Sequence, residues 1–81
     1  MSAKEIVREN ISDFASRLEA MTIDEVFDAM SLLEKYSEDD VSEREETLPR
    51  ISLVEEEIER RFPGQKLAPY RDWKQAQPLL W

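Results

Sequence analysis

The sequence predicts a small all-α domain of three helices, and three observations carry that prediction. Apolar residues recur at alternating spacings of three and four. Capping-box patterns stand at Ser2/Glu5 and Thr22/Glu25, each just ahead of an apolar stripe. Pro63-Gly64 then supplies a terminator after the third stripe.

The first helix is expected over about 3–20. Val7, Ile11, Phe14, Leu18 and Met21 form its stripe, widened by Ile6 and Ala15. The second is expected over 23–36, with Ile23, Val26, Met30 and Leu33 on one face and Phe27, Leu32 and Tyr36 flanking it. So little chain separates the two around Met21 and Thr22 that they must form a tight hairpin or a sharp corner. Ser37 to Thr47 holds six acids and one apolar residue, Val41, and reads as a linker or a solvent-facing first turn. Thr47 is the expected cap of a third helix over 48–62, because a start there leaves Pro49 in the first turn, where its missing N–H costs nothing. Leu48, Ile51, Val54, Ile58 and Phe62 would then share the buried face, and Arg60 and Arg61 complement the helix dipole at its end.

The chain therefore divides into a helical domain, 1–62, and a C-terminal segment, 63–81, that either packs on those helices or docks elsewhere. That segment carries Tyr70, Trp73 and Trp81, three of only seven aromatic residues. Rings of this size lose a large hydrophobic benefit when left in water, so they need a cover or a partner. A short helical turn over 70–76 fits between its prolines.

Eighty-one residues, 41% of them hydrophobic, make one core and no second one. Such a core yields only a few kcal/mol after chain entropy, and without cysteine or a metal the remaining stapling device is association. A protein partner is expected on this ground, either a second copy in a homodimer or a foreign chain. The absence of both cysteine and histidine removes thiol nucleophiles, disulfides, thiolate or imidazole metal ligands and a histidine base. An enzyme is not expected, nor is a cofactor or a metal. No apolar stretch approaches a membrane span or a signal-peptide core, so the expected location is cytoplasmic with no membrane association.

The formal net charge is −8, from 19 acidic and 11 basic residues, and it is segregated. Residues 1–21 carry −1, residues 22–47 carry −8 and residues 48–81 carry +1. A field of this sign repels phosphate backbones and attracts basic surfaces, which argues against direct nucleic-acid binding. The basic residues Arg50, Arg60, Arg61, Lys66, Arg71 and Lys74 are candidates for one modest basic patch. Two function classes follow. One is an acidic helical interaction module, an adaptor, accessory subunit or regulatory partner, with Tyr70, Trp73 and Trp81 as anchors beside Arg71 and with Asp39, Asp40 and Glu43 as its charged contacts. The other is an inhibitor or nucleic-acid mimic whose carboxylates occupy a basic groove. Asp39, Asp40 and Glu43 lack the alternating ligands and turn glycine of a calcium loop.

Overall fold

The computed structural model describes residues 3–76; Ser2 of the first capping box and Trp81 of the C-terminal anchor set lie outside them. Among the described residues there are no strands, and the helices number five rather than three. They are α1 (Ala3–Arg8), α2 (Ile11–Ala20), α3 (Ile23–Asp39), α4 (Arg44–Arg61) and α5 (Ala68–Gln75), with a 3-10 turn at Val41–Glu43.

The expected first helix is broken at Glu9 and Asn10, and the break has a chemical cause. Asn10 adopts a non-helical ψ of 136° and its side chain accepts from the Ser12 N–H at 2.8 Å, capping α2. Asn competes with the helix ladder in this way because its short amide reaches nearby backbone groups. In an unbroken helix the carbonyls of Ile6 and Glu9 would accept from the N–H groups of Asn10 and Asp13. Here the Arg50 guanidinium reaches both, Nε donating to Ile6 at 3.1 Å, a carbonyl that also accepts from the Glu9 N–H at 3.2 Å, and a terminal nitrogen donating to Glu9 at 2.7 Å.

The corner between α2 and α3 is two extended residues, Met21 and Thr22. The Thr22/Glu25 capping box is complete: the Thr22 side chain accepts from the Glu25 N–H, and the Thr22 N–H donates to the Glu25 carboxylate at 2.9 Å. Those bonds hold the Glu25 carboxyl below its ordinary pKa. At its other end α3 runs on to Asp39, past the expected stop at 36. Arg44 explains the extension, since its Nε donates to the Ser37 carbonyl at 3.0 Å and satisfies one of the last orphan acceptors. Asp40 then caps the 3-10 turn, accepting from the Ser42 N–H at 3.2 Å and from its hydroxyl at 2.6 Å.

The third expected helix is α4, and it starts at Arg44 rather than behind a Thr47 cap. Thr47 is buried inside it, donating its hydroxyl to the Glu43 carbonyl, and Pro49 lies in the helix where Glu45 would otherwise find a donor. The register of the buried face also differs from expectation. Thr47, Arg50, Val54, Glu57 and Ile58 face inward, while Leu48 is 53% exposed. The seam is displaced because α4 presents arginines, not only apolar side chains, to its neighbours.

Contacts along α4 fix the topology. Arg50 meets the end of α1, and Arg61 meets the end of α2, where a terminal nitrogen donates to the carbonyls of Leu18 at 3.0 Å and Met21 at 2.8 Å. α2 and α4 therefore run parallel, α3 returns antiparallel beside α4, and α1 closes against α3 and α4. The core is Ile6, Phe14, Leu18, Val26, Phe27, Ala29, Met30, Leu33, Val54, Ile58 and Tyr70, with Val7 and Met21 at its edge. Gly64 has φ +79° in the turn that ends α4, a conformation free of penalty only for glycine; Lys66 adopts φ +55° two residues later and bears that cost.

Candidate interaction surfaces

Tyr70 and Trp73 sit on α5, whose sequence Ala68-Pro69 opens a helix favourably because the proline falls in the first turn. Their rings converge on Phe27 of α3. Phe27 lies 5.8 Å from Tyr70 and 5.7 Å from Trp73 between centroids, and Phe62 stacks at 6.3 Å on the same ring. Tyr70 and Trp73 stack on each other at 6.2 Å. Offset and tilted pairs at these separations are the favoured arrangements of aromatic quadrupoles.

The two aromatics differ in what they leave outside. Tyr70 is buried at 3% exposure, and its hydroxyl donates to the Glu34 carboxylate at 2.6 Å, with Lys74 5.7 Å from its ring centroid. It belongs to this chain's own core. Trp73 is only partly buried, and its indole N–H donates to Asp24 at 3.1 Å on an exposed edge. Arg71 is exposed on the same helix. Residue 81 being outside the described set, Trp73 is the described aromatic of the three that retains an open side.

Burial raises the Tyr70 hydroxyl's pKa well above its ordinary value of 10.0, and the neighbouring Glu34 carboxylate adds to the shift, while Ser31 opposes it. A raised pKa means the folded state holds the proton more tightly, so the stabilisation is complete below pH 10 and is lost as the pH climbs beyond it. Denaturation midpoints are therefore expected to fall more steeply above pH 10 in the wild type than in Tyr70→Phe, and parallel curves would contradict this. Below pH 10 the same variant loses about 1 kcal/mol with the hydrogen bond.

Two of the six candidates for a basic patch turn inward. Arg50 is 6% exposed and Arg61 partly buried, both committed to carbonyls of α1 and α2. Glu57, itself buried, receives Arg60 and, at 2.6 Å, Arg61. The acids behave differently. Asp39 is exposed at the negative end of α3, where no basic residue occupies the last turn, and Asp40 and Glu43 follow half-buried around the 3-10 turn. Glu45 and Glu46 extend the row along the first turn of α4. Among the described residues, no group of three or more carboxylates is placed to hold a metal ion, and no helix is long and apolar enough to cross a membrane.

Arg50 and Arg61 are the residues whose structural role the sequence reading missed. Their signal was present: eleven residues is just over three full turns, so both arginines point from one face of α4. No protein-family model, curated protein or solved structure matches this chain.

Proposed function

We propose that this chain is a protein-binding module rather than an enzyme, and that its binding face is the acidic edge running from the end of α3 through the 3-10 turn into α4. The observation that carries this reading is the inward turn of Arg50 and Arg61. Those two cations serve the chain's own carbonyls and pair with Glu46 and Glu57, so neither adds a free positive charge to a surface that is already acidic. Asp39, Glu45 and Glu46 stand exposed along this stretch, with Asp40 and Glu43 between them; Glu46 also lies 3.4 Å from Arg50, and Arg44 is the one exposed cation among them. Carboxylates at the negative end of a helix are unfavourable for the helix itself, and a basic surface placed against them relieves that cost. The partner is a foreign basic protein, because two copies of so acidic a chain repel each other.

The same row of carboxylates supports a second reading, in which the chain imitates phosphates and fills the basic groove of a nucleic-acid-binding protein. Competition separates the two: nucleic acid displaces the chain from a groove and leaves it bound elsewhere.

Neutralising Asp39, Asp40 and Glu43 together as Asp39→Asn, Asp40→Asn and Glu43→Gln tests the face directly. Asparagine still accepts at residue 40, so the cap of the 3-10 turn survives. Partner affinity is expected to fall at least tenfold and its salt dependence to flatten. Unchanged affinity and salt slope would refute the acidic face.

A further inference from the structure

Trp73 forms one wall of a shallow recess of about 400 Å³ whose other walls are Asp24, Glu25 and Asp28 of the first turns of α3. Tyr70 stacks on one face of the indole and Phe27 packs tilted against it, while the rest of the partly buried ring lines the recess. Among the described residues none of the three carboxylates makes a salt bridge, although the charge of Arg17 acts on Glu25. Two of them have other duties: Asp24 accepts the indole N–H, fixing the ring, and Glu25 completes the capping box. Asp28, one turn further on, makes neither contact.

We propose that this recess receives an arginine side chain of the basic partner. The inference rests on the interaction-module reading and names a second contact for it, away from the Asp39–Glu46 edge. An aromatic wall attracts a cation through the negative face of its π system, and the carboxylates supply the opposite charge. Arginine fits better than lysine, because its planar guanidinium stacks on an indole while its edge donates to carboxylates. Trp73 is pre-organised for the task, since the bond to Asp24 and the stack on Tyr70 hold the ring before anything binds. The chain already places cations near aromatic rings within itself, Lys74 at Tyr70 and Arg17 at Phe14, the latter with the guanidinium carbon 5.8 Å from the centroid.

The test uses the full chain labelled with nitrogen-15, its two indole N–H resonances assigned with Trp73→Phe and Trp81→Phe. A hexa-arginine peptide is titrated in at low salt, with hexalysine as comparison. A saturable shift of the Trp73 indole is expected, with hexa-arginine binding at least threefold tighter than hexalysine. Asp28→Asn is expected to weaken hexa-arginine binding about threefold or more while leaving the fold intact. Shifts confined to the amides of residues 39–46, with the Trp73 resonance unmoved, would overturn the recess and leave the acidic edge standing. A Trp73 shift that persists in the Asp39/Asp40/Glu43 neutral variant would establish the recess even if the acidic edge failed its own test. Equal binding by wild type and Asp28→Asn would overturn it.

Discussion

Replacing Phe27 by alanine is expected to cost about 3–5 kcal/mol and to release α5 from the rest of the chain. Phe27 is 4% exposed and meets three rings, Phe62, Tyr70 and Trp73, so its removal withdraws the surface on which the end of α4 and all of α5 are seated. A domain of this length has a total stability of about 4–12 kcal/mol. The loss is therefore a large fraction of the whole, and the variant is expected to be partly unfolded at room temperature. Phe27→Leu keeps most of the volume and is expected to cost about 1–2 kcal/mol, preserving a folded chain for measurement. With Trp81→Phe as background, Trp73 is the sole indole. Its emission is expected to move to the red in Phe27→Leu and further in Phe27→Ala, in step with the loss of stability in urea. Unchanged emission in both would mean that Trp73 does not pack on Phe27.

The second large effect is expected at Arg50. Removing its side chain by Arg50→Ala leaves the partly buried Glu9 carbonyl without its donor and takes one of two donors from the Ile6 carbonyl, which keeps the Glu9 N–H at 3.2 Å. An acceptor left unpaired away from water costs about 1–3 kcal/mol, which places the variant about 1–3 kcal/mol below wild type. Arg50→Lys keeps the charge but not the fork, and one ammonium cannot serve both carbonyls and the Glu46 carbonyl with the same geometry, so it is expected to recover less than half of the loss. Arg71→Ala, on the exposed side of α5, is the control and is expected to stay within about 0.5 kcal/mol of wild type. Hydrogen exchange adds a local reading: α1 amides are expected to lose protection first in Arg50→Ala. Equal stability of Arg50→Ala and Arg71→Ala would mean that the buried arginine contributes nothing.

The parts of the fold that could be read from the sequence are those set by neighbours in the chain. Thr22 and Glu25 announce the start of α3 because both partners of the capping box lie within four residues. Phe14, Leu18, Val26, Met30, Leu33, Val54 and Ile58 are core residues in the stripes that periodicity defines. What periodicity could not give is the interaction of α4 with distant backbone. The break at Asn10 depends on an arginine forty residues later that claims the two freed carbonyls, and the buried seam of α4 passes through Thr47, Arg50 and Glu57 instead of Leu48. Apolar counting misplaces such a helix because polar side chains hold its buried positions.

The candidate surfaces divide the same way. The acidic middle was visible as composition, and its exposure at Asp39 follows from it. Tyr70 and Trp73 were visible as aromatics needing cover, but only the structure separates the buried ring from the open one. Their separation comes from Phe27 and from the paired acceptors Glu34 and Asp24, all on α3. Nothing near residues 70–73 in the chain encodes that.

We propose that the acidic exterior serves a foreign basic protein. This is tested most directly by the molar mass of the species recovered with tagged full-length chain from the cells that make it, after nuclease treatment and across a series of salt concentrations. One foreign protein in fixed stoichiometry is expected, released as salt rises and absent when Asp39, Asp40 and Glu43 are neutralised. Recovery of the chain alone, as a defined dimer or tetramer indifferent to salt and to the neutral variant, would contradict it.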